Sequence, residues 1–357
     1  MANLNTKNLN FIKNSELKKF LSHKNFSILN AMKRMNKTYE KFKKIINSKK
    51  EILGTLTDGD IRRFLIKGGS IQEKVEKCMN KKPLIGKIHE NNKNISKINK
   101  INIFPAFLPI INPNNKIHSI IVAFEETNID TAIIMAGGLG SRLGNLTKKI
   151  PKPLLKINGV TTLEKIIRNL ERANIKKIYI SVNYLKKKKI EFIKNKKFNS
   201  KIIFIQEKKK LGTAGSLSLI KSKIKSPITV INADVITSLS IASLIEFYNE
   251  DKPDAMIGAA TYEYKVPYGV LRYDELGELL GIEEKPTQKN LIAGGIYVLN
   301  QKVINLLSFN ERIDMPELLK IALKKDLKLG VFPIHEKWND IGLPKDYFDL
   351  SKKKTAN

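Results

Sequence analysis

The feature that most narrows what this chain can fold into is a glycine-rich loop placed directly after an apolar strand. Residues 131–136 form an unbroken run, and Ala136-Gly137-Gly138-Leu139-Gly140-Ser141-Arg142-Leu143-Gly144 follows without a spacer. Glycines at a strand's carboxyl end let backbone N–H groups approach an anion that side chains would obstruct. A helical segment comes next, with Leu163, Ile166, Ile167 and Leu170 at the i, i+3, i+4, i+7 spacing of one buried face. Strand candidates then recur at 177–182, 201–205, 228–232, 255–260 and 292–299, separated by helical stretches such as 241–249. Strands alternating with helices predict an α/β domain over 127–357, with a doubly wound, mostly parallel sheet. Asp314-Met315-Pro316-Glu317 reads as a further helix start, with Pro near the first helical position and acid in the first turn.

Residues 1–126 have another texture, with short apolar runs and loops rich in Asn and Lys such as 90–100, and predict a separate α+β domain. Their best-formed piece is 51–65, a β-rich run ending in Thr57 where a helix starts. Thr57 is the expected N-cap, and Asp58 and Asp60 sit in the first turn, where the helix dipole favours acid.

Length and composition agree with two packed units: 357 residues, 42% hydrophobic, support two cores. Cys78 is the only cysteine, so no intramolecular disulfide forms, no zinc-site spacing exists, and a reducing, cytoplasmic setting is expected. Residues 1–14 lack the basic start and apolar stretch of a signal peptide. The apolar region 101–113 is broken by Pro105, Pro109 and Pro113 and is far short of a bilayer span, so no membrane partner is expected. The net charge of +31 raises the question of a nucleic-acid partner. The excess is Lys rather than Arg, accompanies abundant Ile and Asn, and is scattered over every segment, as coding bias in an AT-rich genome produces. The run 186–189 then reads as a solvated helix face, and no nucleic acid is expected, although the field would still favour a polyanionic substrate.

Two common phosphate loops are testable against the glycine run. A P-loop needs Gly-Lys-Ser/Thr at its end, and this chain has Gly140-Ser141-Arg142. A dinucleotide-binding turn needs G-x-G-x-x-G and an acid closing the second strand; here the spacing is stretched to Gly138, Gly140 and Gly144, and that strand ends in Val182-Asn183-Tyr184. What remains is a glycine loop bearing Arg142, followed ten residues later by Lys152 between Pro151 and Pro153. Asn232-Ala233-Asp234 places a carboxylate at another strand's carboxyl tip, where ligands bind in open α/β sheets.

The loop and the Pro151-Lys152-Pro153-Leu154 segment resemble the G-G-x-G-S/T-R-L and P-K-P-L signature of the sugar-phosphate nucleotidyltransferases, of the mannose-1-phosphate guanylyltransferase type, over about residues 129–350. The resemblance implies a Rossmann-like nucleotidyltransferase fold and assigns roles in the family's order. Ala136, Gly137, Gly138, Gly140 and Ser141 would cradle the nucleotide, with Glu207, Gly212 and Thr213 around the base and Glu207 as its polar partner. Asp234 and Asp340, the latter in Trp338-Asn339-Asp340-Ile341-Gly342, would hold Mg2+, whose octahedron phosphate oxygens and water complete. Arg142 would hold the outer phosphates, Lys152 the α-phosphate and Lys285 the phosphate of the sugar. Tyr268, Gly269, Glu284 and Gly295 would face the sugar. Each piece has a plainer reading alone: 206–216 as a loop and helix start capped by Thr213 or Ser216, 266–286 as an exposed hairpin around 274–277, a single Asp as a cap. Their occurrence in the family's order within one chain favours the functional reading. One position departs: Ala293 stands where the family often carries Asn, which leaves the sugar's identity open.

The front unit resembles a pair of cystathionine-β-synthase-type (CBS) repeats, carried by Gly54-Thr55-Leu56-Thr57-Asp58-Gly59-Asp60. In that family the positions of Thr57 and Asp60 hold the ribose of an adenine nucleotide. The second repeat, 82–126, lacks an equivalent T-x-x-D, and a structural role is the alternative. Together the resemblances imply nucleotidyl transfer from an NTP, favouring GTP, to a sugar 1-phosphate of mannose or glucosamine type, in a homo-oligomer. The fusion resembles guanylyltransferases of surface-glycan biosynthesis, including the legionaminic-acid route. The alternatives are thymidylyl, uridylyl or cytidylyl transfer, or a nucleotide sensor with a dead transferase domain, against which the intact Arg142, Lys152, Asp234 and Asp340 argue.

Overall fold

A computed structural model describes residues 8–38, 42–49, 51–101, 106–124, 129–225 and 227–352. Two compact units make up the chain: 1–128 with 241–252, and 129–240 with 253–357. The boundary expected between 126 and 127 lies outside the described residues.

The second unit is built on a seven-stranded sheet. Its strands are β1 (Thr131–Met135), β2 (Lys177–Val182), β3 (Lys201–Gln206), β4 (Ile228–Asn232), β5 (Ala255–Lys265), β6 (Thr287–Leu299) and β7 (Leu329–Ile334). The spatial order is β3-β2-β1-β4-β6-β5-β7. β1 to β4 pair parallel, β6 runs antiparallel between β4 and β5, and β7 pairs parallel with β5. β1 reads almost wholly apolar because a strand in a parallel sheet is covered on both faces; Ala132, Ile133 and Ile134 are fully buried. Helix α1 (Thr162–Arg172) begins at Thr161, whose hydroxyl accepts Glu164 N at 3.2 Å, and buries the predicted Leu163, Ile166, Ile167 and Leu170. From β1 the chain moves outward to β2 and β3, then returns to pair β4 on the other side of β1. The strand order therefore reverses between β1 and β4, and a crevice opens at their carboxyl ends.

β7 was not foreseen. Its sequence, Leu329-Gly330-Val331-Phe332-Pro333-Ile334, contains both residues that weaken a strand reading, and it is tolerated because β7 is the sheet's edge. Beyond residue 260, β5 and the first half of β6 continue as an exposed two-stranded ribbon, and Gly269–Tyr273 pairs with Leu279–Glu284 in a hairpin. The foreseen turn at 274–277 closes it, with Asp274 Oδ1 accepting Leu276 N and Glu278 N, each at 2.9 Å.

The run 186–189 corrects the sequence reading. Helix α2 (Lys186–Lys194) does expose Lys187 and Lys188, but Lys189 is fully buried.

The first unit is α+β and internally repetitive. Leu21–His23, a helix at Ile28–Thr38, and strands Phe42–Ile46 and Ile52–Thr57 form a sheet in which the first strand pairs parallel with the second and the second antiparallel with the third. Gly86–Lys87, a helix at Asn91–Asn99, and strands Ala106–Ile111 and Ile117–Phe124 repeat that order and those pairings. Each half has its own core, around Ile28, Ile45 and Leu56 in one and Ile98, Leu108 and Ile121 in the other. Among the described residues no helix is long and apolar enough to cross a membrane.

Candidate active site

The crevice at the β1–β4 reversal is a cleft of about 310 Å3. Three segments distant in sequence meet there because one apolar cluster joins them. Leu143 of the glycine loop, Leu155 after the Pro-Lys-Pro turn, Ile157 and Ile341 after Asp340 pack together, all buried. Gly140 takes a left-handed φ of 68°, and a Cβ there would stand 3.1 Å from Thr147 and 3.2 Å from Lys152. The Thr147 hydroxyl donates to the Gly140 carbonyl at 2.9 Å, fixing the loop from below. Pro151 enters the next turn in extended conformation and Pro153 continues it, so Lys152 has little freedom but to point into the cleft.

The two carboxylates are brought together by a short antiparallel ladder. Val235–Thr237 pairs with Trp338–Asp340, and Val235 lies opposite Asp340. The Trp338 indole donates to the Gly294 carbonyl at 2.9 Å and ties this ladder to β6. The Lys152 ammonium stands 2.6 Å from Asp234 Oδ2 and 3.5 Å from Asp340 Oδ1. Burial, reinforced by the neighbouring Asp234 charge, pushes the Asp340 carboxyl above its usual range, and Lys152 opposes the shift. Asp340 Oδ1 is buried without a hydrogen-bond partner. Two adjacent carboxylates, Asp340 Oδ1 held by its 3.5 Å ion pair with Lys152, suit a hard divalent cation.

Ala136, Gly138, Gly140, Ser141, Arg142, Lys152 and Asp234 all line this cleft, and Gly342 brings the end of the Asp340 segment to it. Lys210 lines it too and was missed; its only signal was the cationic run 208–210, which resembles the chain's many other lysines.

The rest of the expected site is arranged differently. Glu207 lies beneath the loop, 6% exposed, with Oε1 so near Gly137 that a Cβ there would stand 2.4 Å away. It accepts Leu211 N at 3.4 Å, and burial raises its carboxyl above the ordinary range against the Ser181 hydroxyl bond. Thr213 donates from N and Oγ1 to Asp314 Oδ1 at 2.9 and 3.2 Å, and its hydroxyl accepts Met315 N at 2.8 Å. Thr213 thus caps the helix Met315–Lys324, whose foreseen start at 314–317 holds, while Asp314 itself makes no side-chain cap bond. Gly212, at φ 78°, makes the tight turn that permits this.

Of the sugar-facing set, Gly295 lies beside the cleft, where a Cβ would meet Asn232 at 2.9 Å. Tyr268 is 74% exposed, Glu284 69% and Lys285 55%, and with Gly269 they stand on the hairpin rather than among the cleft's lining. In the first unit Thr57 and Asp60 form a complete capping box. Thr57 Oγ1 accepts Asp60 N at 3.0 Å and Asp60 Oδ2 accepts Thr57 N at 2.9 Å. Asp60 Oδ1 also receives Arg63 at 2.9 Å.

A sheet reversal closed by a glycine loop, with cations and paired carboxylates at one mouth, defines an α/β protein equipped to hold a polyphosphate. The chain belongs to the nucleotidyl transferase family, whose model matches residues 131–357. It is 33% identical over 224 residues to a mannose-1-phosphate guanyltransferase of Yarrowia lipolytica, covering 60% of this chain and 61% of that one. It is also 33% identical over 218 residues to a D-glycero-alpha-D-manno-heptose 1-phosphate guanylyltransferase of Campylobacter jejuni, covering 61% of this chain and 96% of that one. The chain thus spans about six-tenths of the mannose-1-phosphate enzyme and nearly all of the heptose one. Among solved structures, HddC from Yersinia pseudotuberculosis superposes with a TM-score of 0.50 at 30% identity, covering 63% of this chain and 99% of HddC. A second HddC structure, at 29% identity with a TM-score of 0.50, is a complex with GMP-PN.

Proposed function

We propose that this chain transfers a nucleoside monophosphate, GMP in preference, from an NTP to a sugar 1-phosphate of the mannose, heptose or glucosamine type, releasing pyrophosphate. The observation that carries the proposal is the convergence of Arg142, Lys152, Asp234 and Asp340 around one glycine-loop cleft. The choice of guanine and of a manno-configured or related sugar follows the names of the relatives. A cytoplasmic role in surface-glycan synthesis, as in the legionaminic-acid route, extends this reading.

A phosphate oxygen of the sugar 1-phosphate attacks the α-phosphorus in line as the α–β bridging bond breaks, and the electron pair leaves with pyrophosphate. The nucleophile is already an anion near neutral pH, so positioning and charge neutralisation carry the reaction. The loop's N–H groups and the Arg142 fork hold the β- and γ-phosphates, and Lys152 swings from its carboxylates to the α-phosphate. Asp234 and Asp340 would hold Mg2+, which supplies charge neutralisation along the phosphates. Lys285 and Glu284 select the sugar phosphate from the ribbon. In the first unit, the repeated halves and the Thr57–Asp60 corner support the CBS-pair reading with an adenine nucleotide as ligand, and the assembly is a homo-oligomer. The test is a panel of NTPs and sugar 1-phosphates with Mg2+, scored by pyrophosphate release: turnover confined to GTP with one manno-type sugar phosphate is expected, and no release from any pair would overturn the proposal.

A further inference from the structure

Beneath the glycine loop lies a second layer of charge that the cleft does not contain. Lys189 on α2 is fully buried, and its ammonium donates to the carbonyl of Ala136, the first residue of the loop. The N–H of the same residue donates to Ser181 Oγ at 3.0 Å, and the Ser181 hydroxyl is bonded to the Glu207 carboxylate. Both main-chain groups of Ala136 are therefore held from below, by α2 and by β2. Glu207 presses against Gly137, so glycine is needed there to make room for a carboxylate. Glu207 is also the charged group acting on Lys189; the adjacent Lys188 turns instead to the Lys149 carbonyl at 2.6 Å.

A buried ammonium forfeits its hydration, and an apolar side chain would fill the same space without that cost. Its charge has a use here. The loop must receive a triphosphate, and an unopposed Glu207 carboxylate directly behind Gly137 repels it. Resting on the proposed nucleotide function, we infer that Lys189 is a positioning residue for the nucleotide: as an ammonium it fixes the Ala136 carbonyl and offsets Glu207, and the loop's hold on a nucleoside triphosphate weakens when it loses that proton. Burial brings Lys189 down to about 8, so the change falls in an accessible range. Below that pH Lys189 is charged and binding is strong; above it binding declines.

The test is calorimetric binding of GTP with Mg2+ between pH 6.5 and 9.5, alongside pyrophosphate-release kinetics, for the wild type, Lys189→Met, Lys189→Arg, Glu207→Gln and the exposed control Lys188→Met. The wild type and Lys188→Met should lose affinity above about pH 8. Lys189→Met should bind roughly tenfold or more weakly at pH 7, as befits the loss of a charge-assisted hydrogen bond, with no pH break and with KM for the sugar phosphate unchanged. Lys189→Arg should restore binding without the break. Glu207→Gln should move the break to lower pH. Wild-type affinity and profile in Lys189→Met would overturn the inference, as would loss of affinity for both substrates together with a lowered Tm. If Lys189→Met fails to fold, the wild-type and Glu207→Gln profiles decide. GTP binding without pyrophosphate release would sink the transferase reading and leave this one to be judged on binding; no binding of GTP by the wild type would sink both.

Discussion

In the cleft, Lys152 rests on two carboxylates and the glycine loop is clamped by Thr147 and by the cluster of Leu143, Leu155 and Ile341, whereas at the hairpin Tyr268, Glu284 and Lys285 stand in solvent on a two-stranded arm. The cleft is set by the sheet's own core, so its geometry follows from packing within the unit. The hairpin has no core of its own; Leu271, Tyr273, Leu276, Leu279 and Ile282 are all more than half exposed. A two-stranded sheet is marginal unaided, so the shape of this arm depends on what it touches. Under the proposed function, preorganisation would go to the part of the substrate common to all NTPs, and selection to side chains that can change without unfolding anything.

Four substitutions break or sharpen that contrast. Lys152→Ala is expected to lower kcat by about 100- to 1000-fold, some 3–4 kcal/mol of transition-state stabilisation, with an unchanged circular-dichroism spectrum. Steady-state kinetics within threefold of wild type would remove Lys152 from the chemistry. Leu163→Ala, in the fully buried face of α1, should cost about 2–5 kcal/mol of stability in urea unfolding, because the helix holds the sheet on which the loop is mounted. Thr57→Ala, which dismantles the capping box of the first unit, should cost about 1 kcal/mol and leave pyrophosphate release alone. Leu276→Ser, at a residue 91% exposed in the hairpin turn, should change stability by no more than roughly 0.5 kcal/mol. A large loss there would mean that the hairpin is covered in solution.

The cleft was largely legible in the sequence, and for a physical reason. Glycines at a strand end, Lys152 between prolines and Asp234 at a strand tip are local arrangements, so their geometry follows from neighbours along the chain. Asp340 was reachable only through resemblance, since nothing local in Trp338-Asn339-Asp340 announces its ladder with Val235–Thr237. Long-range packing hid the rest. Thr213 caps a helix that begins more than a hundred residues later, Glu207 folds under the loop it was expected to border, and Lys189 looked like one more exposed lysine in a run of four. In a chain carrying 65 Lys and Arg residues, composition disguises the few that are buried, Lys189 among them with Lys43, Lys44 and Arg62. β7 escaped notice because its Gly330 and Pro333 are permitted only by its place at the rim.

β6 is thirteen residues long, roughly 40 Å at a strand's usual rise, and it changes character midway from solvated to enclosed. Its outer end carries the ribbon, and its inner end carries Gly294 and Gly295 alongside Trp338 and Asn232. The β5–β6 ladder breaks register between Ile257 and Ala259, opposite Gly294 and Gly295, so the outer arm is free to shift without dragging the enclosed half along. For the transfer proposed above, remodelling the arm would then retune which acceptor is admitted while the inner anchorage keeps the donor's seat fixed.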